Sequence, residues 1–72
     1  MVDSGGTFHG PAARAIRQAR GIKQAELARR VGISRQHLAN VEKGKQPSLA
    51  VAVKISQALA VDFGAITQRA AA

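Results

Sequence analysis

Apolar residues recur every three or four positions through most of the chain, in short runs separated by glycine, proline or polar residues. This spacing places each set of apolar side chains along one face of a helix, so it predicts a series of short amphipathic helices. Serine or aspartate, which cap helix starts, precedes three of the runs. The five predicted helices begin near Pro11, Gln24, Ser34, Ser48 and Asp62. We therefore expect a compact all-α bundle of five helices.

The second and third predicted helices form the most informative part of the sequence. Two short helices that cross at a sharp turn need a small residue at the crossing, and Ala28 supplies one. Gly32 tolerates the positive φ that such a turn favours, and the Ser34 hydroxyl can cap the helix that follows. With Leu38 and Val41 buried, the polar residues between them face outward. The pattern predicts a helix-turn-helix.

The outward face of the third predicted helix carries amide and guanidinium groups, which can form hydrogen bonds to base edges and phosphates. The guanidinium of Arg35 can bond to guanine or only to phosphate, while the amide of Gln36 can bond to adenine. Asn40 can read a base or only line the groove, and His37 can contact a phosphate or simply be exposed. The whole outward set is Arg35, Gln36, Ala39, Asn40 and Lys43.

Charge narrows the class of partner but does not fix it. The 72-residue chain has a formal net charge of +7, and all but two of its eleven Lys and Arg residues fall between Arg14 and Lys45. Such a concentration of basic residues in one part of the sequence suits DNA, because neutralising phosphates releases bound counterions. The length allows one domain. We expect a flexible arm over residues 1–10, a DNA-binding domain over 11–69 and a frayed end over 70–72.

Several function classes find no support in the sequence. There is no cysteine, and His9 and His37 are far apart without an acidic cluster, so we expect no metal or cofactor. We find no nucleophile with a base, no useful carboxylate pair and no phosphate-binding glycine loop, so we expect no enzyme. No apolar run approaches the roughly 20 residues that span a bilayer, and no signal peptide is evident. A cytoplasmic location follows as an expectation.

Three stretches together resemble the phage-repressor and Cro-like helix-turn-helix family, also called the XRE family. They are IRQARGIKQAELARRVGIS at Ile16–Ser34, LANVEKGKQPSL at Leu38–Leu49 and VKISQALAVDFGAI at Val53–Ile66. The resemblance covers about three-quarters of the chain and includes the family's first, fourth and fifth helices. It implies a transcriptional regulator, most simply a repressor, that binds double-stranded DNA sequence-specifically. It also implies a homodimer on a near-palindromic operator, with the third helix in the major groove.

The resemblance further implies roles for individual residues. Arg35, Gln36 and Asn40 stand where relatives read bases, and Arg17 and Glu42 match an ion pair between the first and third helices. Near the fifth helix, the expected dimer contacts are Phe63 and Ile66. Matched or neighbouring polar residues give the expected phosphate contacts, which are Arg14, Lys23, Gln24, Ser34, His37, Lys43 and Lys45. The chain departs from the family pattern at Ala13, Lys23 and Ala60, where relatives have a larger aliphatic residue, a capping residue and glycine.

Two other functions stay open at the level of sequence. An antitoxin, which binds a toxin and represses its own operon, would use an exposed Phe8 and the flexible arm to hold a partner protein. A nonspecific binder of polyanions or anionic membranes would use the positive charge alone. The second alternative predicts equal affinity for random and cognate DNA, whereas a regulator prefers its site by about 10³-fold or more.

Overall fold

The computed structural model describes residues 7–68, which form four α-helices, one 3-10 turn and two short strands. The strands flank the helical region at the two ends of the described chain. In order, the elements are β1 (Thr7–Phe8), α1 (Gly10–Ala19), α2 (Gln24–Val31), α3 (Arg35–Glu42), α4 (Leu49–Leu59), the 3-10 turn (Phe63–Ile66) and β2 (Thr67–Gln68).

The prediction of five helices is wrong, because the fifth segment forms only a single 3-10 turn in the described chain. Asp62 precedes this turn, but its side chain makes no capping hydrogen bond. The Thr67 hydroxyl donates to the Phe63 carbonyl over 3.3 Å, and the backbone then becomes extended. The all-α framework of helices α1 to α4 is as expected.

Outside that helical framework, β1 and β2 pair as antiparallel strands. Phe8 lies opposite Thr67 in the register. The His9 N–H donates to the Ile66 carbonyl over 2.6 Å, which continues the pairing towards α1. Residues 7–10, expected in a flexible arm, therefore belong to the folded unit. The remainder of that arm (1–6) and the expected frayed end (70–72) lie outside the described residues.

The core lies between the four helices and is closed by the 3-10 turn. Leu27, Leu38 and Ile55 are completely or almost completely buried, as are Leu59 and Ile66. Full burial of a side chain of this size contributes about 1.5–3 kcal/mol. The remaining core residues are Phe8, Ala13, Ala28, Val31, Val41 and Ala52. All of these residues except Phe8, which lies in β1, are in helices, where apolar spacing of three or four positions predicts a buried face.

The sequence offers Ile66 as a core residue and also as a dimer contact, and Phe8 as a loose cap on the core and also as an exposed partner contact. The structure buries both side chains in the core. Ile66, expected as a dimer contact, has no exposed surface and contributes its side chain to the core. Phe8, whose exposure would have supported an antitoxin, is only 6% exposed and packs in the same cluster. Neither side chain is available to a partner in this conformation.

Within residues 7–68, no helix is long and apolar enough to cross a bilayer.

Candidate nucleic-acid interface

Helices α2 and α3 are joined by a sharp turn whose geometry follows from three residues. The amides of Gly32 and Ile33 both donate to the Ala28 carbonyl, over 2.8 and 3.0 Å, which closes the end of α2. Gly32 adopts a φ of 88°, in the left-handed region that glycine tolerates best. Ser34 then starts α3, because its hydroxyl accepts the His37 N–H over 2.9 Å. This arrangement is a helix-turn-helix.

The outward face of α3 carries the three side chains expected to read bases. Leu38 and Val41 are buried. This orientation leaves Arg35 and Gln36 exposed and Asn40 half-buried. The Gln36 Nε2 donates to the Asn40 Oδ1 over 3.1 Å across one helical turn. These side chains project from one face of α3, where a DNA groove can reach them.

A buried ion pair fixes α3 against α1. Arg17 Nε lies 2.7 Å from Glu42 Oε2, and Arg17 Nη2 donates to Glu42 Oε1 over 3.2 Å. The side chains are 10% and 2% exposed, respectively. A third donor of the guanidinium, Nη1, bonds to the Ile22 carbonyl over 2.8 Å. Because both charges are paired and bonded, the pair can be buried without leaving an unsatisfied charge.

Gln24, the first residue of α2, connects this ion pair to the outward face. Its Nε2 donates to Glu42 Oε1 over 3.0 Å, and its Oε1 accepts from Arg35 Nη1 over 3.4 Å. Arg17, Glu42, Gln24 and Arg35 thus form a continuous chain of hydrogen bonds. The contact with Glu42 orients the amide so that its oxygen faces Arg35.

A basic groove opens beside this chain of contacts, between α1, α2 and α3. Its accessible volume is about 420 Å³. Glu42 is its one acidic lining residue, and Arg17 already pairs with that carboxylate. The lining is Arg14, Arg17, Gln24, Arg35, Gln36, Ala39, Glu42 and Lys43. The excess of guanidinium and ammonium groups suits a phosphate.

The other expected phosphate contacts lie around the helix-turn-helix. Lys23 precedes α2 and is exposed, without a capping bond from its side chain. Ser34 is exposed at the start of α3, and His37 follows in its first turn, half-buried. Lys43 ends α3, and Lys45 follows Gly44, whose φ is 128°. Lys43 and Lys45 are both exposed.

Three residues that organise this region were missed in the sequence. Gly10 lies directly against α3, since a Cβ there would be 2.0 Å from the Val41 carbonyl oxygen. The side chain of Gln46 bonds to the backbone of Phe8. Arg20 Nε donates to the Leu59 carbonyl over 2.6 Å and holds the end of α4. These contacts join segments distant in sequence, and no local spacing signals them.

The two histidines lie in different elements, His9 before α1 and His37 in α3. Within residues 7–68, no three side chains of His, Cys, Asp or Glu lie close enough together to hold a metal ion. His9 instead caps α1, because its Nδ1 accepts the Ala12 N–H over 3.0 Å.

Comparison with known proteins agrees with this geometry. The helix-turn-helix family model HTH_3 matches residues 14–66. An uncharacterized HTH-type transcriptional regulator of Methanothermobacter thermautotrophicus is 47% identical over 47 residues. That match covers 64% of this chain and 68% of the relative.

Solved structures with the same fold are also regulators. The restriction-modification controller protein C.AhdI of Aeromonas hydrophila is 32% identical, with a TM-score of 0.74 over 78% of this chain and 86% of its own. The clp gene regulator ClgR of Corynebacterium glutamicum is 28% identical with a TM-score of 0.74, over 76% of this chain. The match spans 60% of the ClgR chain.

A third structure supports the fold alone. The N-terminal DNA-binding domain of the biofilm regulator SinR of Bacillus subtilis has a TM-score of 0.71 at 23% identity, over 86% of this chain and 93% of its own. The family match and the identity to the regulators confirm the resemblance carried by the sequence. The chain belongs to the XRE-type helix-turn-helix family of transcriptional regulators.

Proposed function

We propose that this protein binds double-stranded DNA sequence-specifically, with α3 in the major groove, and represses transcription. The observation that carries the proposal is the outward projection of Arg35, Gln36 and Asn40 from a helix whose opposite face is buried. An α-helix fits the major groove, and α2 braces α3 across the DNA backbone in proteins of this type. The proposed location is the cytoplasm, and the proposed role involves no catalysis.

Each base-reading side chain has a chemical partner in the groove. Arg35 can donate two hydrogen bonds to the O6 and N7 of guanine, and Gln36 or Asn40 can bond to N6 and N7 of adenine. A well-formed pair of this kind contributes about 1–3 kcal/mol of discrimination between bases. The bond between Gln36 and Asn40 uses one N–H of Gln36 and one lone pair of Asn40, so each amide keeps a further donor and acceptor for a base.

Phosphate contacts would orient α3 and supply much of the affinity. The basic groove offers Arg14, Gln24 and Lys43 for this purpose. Lys23, Ser34 and His37 lie at the starts of α2 and α3, where the helix dipole also favours an anion. Lys45 extends the set into the loop that follows α3.

We further propose that two copies bind a near-palindromic operator and contact each other through an apolar patch. The patch is formed by Pro47, Leu49 and Phe63. Leu49 is 71% exposed, and the three residues line one shallow depression. A second copy is the favoured occupant, because a two-fold DNA site brings the same surface of two molecules together. Phe63 therefore remains a dimer candidate, and Leu49 and Pro47 replace the buried Ile66.

The proposal is tested by selecting bound sites from random duplex DNA and measuring variants on the selected site. Gln36→Ala is expected to lose preference at one base pair, whereas Lys45→Ala weakens all sequences and makes the salt dependence shallower. Lys54→Ala, an exposed lysine on α4 outside the groove, is the matched control. Equal affinity for selected and random DNA in the parent protein would overturn the proposal.

A further inference from the structure

The side-chain amide of Gln46 forms hydrogen bonds to β1 like those that a neighbouring strand would form. The Phe8 N–H donates to Gln46 Oε1 over 3.0 Å, and Gln46 Nε2 donates to the Phe8 carbonyl over 3.0 Å. An antiparallel neighbour bonds to both backbone groups of one residue in this way. The opposite edge of the segment faces β2, where His9 N–H bonds to the Ile66 carbonyl. Gln46 therefore satisfies the backbone groups of Phe8 that β2 leaves unpaired.

Gln46 lies in the loop between α3 and α4, residues 43–48, which is also anchored to the end of α3. The Lys45 N–H donates to the Asn40 carbonyl over 3.0 Å, and the Gly44 N–H donates to the Val41 carbonyl over 3.1 Å. Lys45 thus lies between two fixed points. One is the end of α3, and the other is the double hydrogen bond from Gln46 to Phe8.

Strand β1 is itself held against α3 through the residue that begins α1. A Cβ on Gly10 would lie 2.0 Å from the Val41 oxygen, so the two backbones are in direct contact. The end of β1 is therefore fixed relative to the helix proposed to read bases. A loop attached to β1 is fixed relative to that helix as well.

We propose that Gln46 is a positioning residue for DNA binding, which holds Lys45 at a phosphate by fastening the α3–α4 loop to β1. The proposal rests on the function proposed above, because it concerns the phosphate contact assigned to Lys45. The Gln46 amide bonds inward to Phe8, so its effect passes through the loop. Without those bonds, Lys45 samples more positions in the free protein, so more conformational freedom is lost when DNA binds.

The direct test is Gln46→Met, which keeps the length of the side chain and removes both hydrogen bonds without adding charge. We expect about threefold to tenfold weaker binding to a single half-site of the selected site, where one copy binds, at 50 mM salt. The slope of log K against log salt should become shallower by about one, as for the loss of one phosphate contact. The matched control is Gln57→Met at an exposed position of α4, which should leave both quantities unchanged.

A double-mutant cycle separates positioning from general stabilisation. If Gln46 acts through Lys45, then Gln46→Met should change affinity by less than about twofold when Lys45 is already alanine. Base preference at the selected site should be retained in all the variants. Additive losses, or a Gln46→Met protein with the affinity and salt slope of the parent, would overturn the proposal.

Amide hydrogen exchange supplies a readout that does not depend on DNA. In Gln46→Met the Phe8 amide should exchange faster, by about tenfold or more, while the His9 amide keeps its protection through Ile66. Unchanged exchange at Phe8 would contradict the proposed fastening. If Gln46→Met does not fold, Gln46→Asn, which shortens the reach by one methylene, is measured with the same expected outcomes.

The failure of this proposal differs from the failure of the proposed function. If the parent binds all DNA equally, the sequence-specific function fails. The salt slope on random DNA then still reports whether Lys45 contacts a phosphate and whether that contact needs Gln46. If the parent is specific but Gln46→Met behaves as the parent does, only the positioning role fails.

Discussion

At the scale of the single residue, the carboxylate of Glu42 connects α3 to two other helices by hydrogen bonds. Its two carboxylate oxygens accept from Arg17, and Oε1 also accepts from Gln24, so α1 and α2 are both bonded to α3. The side chain is almost completely buried. Its charge is therefore tolerated only because the guanidinium of Arg17 lies beside it.

Glu42→Ala is expected to lower the free energy of unfolding by about 3–5 kcal/mol, because it leaves the buried Arg17 without its counter-ion. Glu26→Ala is the control. This substitution removes the carboxylate whose Oε2 lies 2.5 Å from Arg30 Nη2, in a much more exposed ion pair. Exposed ion pairs contribute about 1 kcal/mol or less to stability. Urea unfolding of both variants gives the comparison. Similar losses in the two variants would contradict the energetic role of burial.

The residues that could be predicted from the sequence are those whose position follows from local spacing. Leu38 and Val41 fix which side of α3 is buried, so the exposure of Arg35 and Gln36 followed directly. The contact of Gln24 with Glu42 did not follow, because it joins the start of α2 to the end of α3. Such contacts depend on how helices cross, which no single segment specifies.

At the scale of the element, two helices end in the same backbone conformation with different residues. Gly32 follows α2 with a φ of 88°, and Ala60 follows α4 with a φ of 58°. A Cβ is disfavoured in this left-handed region by about 1–2 kcal/mol. The strain at Ala60 corresponds to the departure from glycine noted in the sequence.

Exchanging these residue types should change stability in opposite directions. Ala60→Gly removes the strain but gives the unfolded chain more freedom, so we expect a net gain of about 0.5–1 kcal/mol. Gly32→Ala should lose about 1 kcal/mol. Apart from its chain neighbours, no residue lies within 4 Å of a Cβ at Gly32, so this loss would come from the backbone conformation. Thermal unfolding checks both values, and a less stable Ala60→Gly would contradict the reasoning.

The start of α1 depends on a close approach that only glycine permits. In Gly10→Ala the new methyl group would meet the Val41 carbonyl, so α1 and α3 must separate. We expect a loss of about 1–3 kcal/mol, the usual range for overpacking. The control is Gly64→Ala in the 3-10 turn, where a Cβ meets nothing within 4 Å. Chemical unfolding of the two variants gives the result, and an equal effect would disprove the close approach.

The elements missed in the sequence are the ones without a periodic signal. Strands β1 and β2 have two residues each and pair across about 60 positions of sequence. A two-residue strand is too short to display alternation, and the three glycines before residue 11 indicated a flexible arm. The 3-10 turn was expected as a helix because Phe63 and Ile66 have helical spacing. That spacing fits a 3-10 turn equally well.

At the scale of the whole molecule, part of the positive charge gathers at the groove that belongs to the proposed DNA-binding surface. The basic residues Arg14, Arg35 and Lys43 come from two separate helices and meet at one groove. The sequence predicted a concentration of positive charge between Arg14 and Lys45 from the positions of these residues along the chain. The groove itself required the packing of α1 on α3 through Arg17 and Glu42.

Also at the scale of the whole molecule, the spacing of the two α3 helices limits how two copies can bind one operator. If two copies bind a two-fold site, their α3 helices must enter successive major grooves about 34 Å apart, on the same side of the duplex. Binding to two half-sites one helical turn apart should then be cooperative. Inserting five base pairs should abolish the cooperativity, because half a turn of B-DNA puts the half-sites on opposite sides.

The contact between the copies is tested by Leu49→Gln, which makes the apolar patch polar without changing the net charge. We expect this variant to keep its affinity for a single half-site and to lose cooperativity on the pair, since Leu49 is 71% exposed at the proposed contact. Ala50→Gln is the control at a neighbouring exposed position of α4. Footprinting of single and paired half-sites measures both effects. Cooperativity retained by Leu49→Gln would place the dimer contact outside the patch, whereas loss of single-site affinity would show that Leu49 supports DNA binding itself.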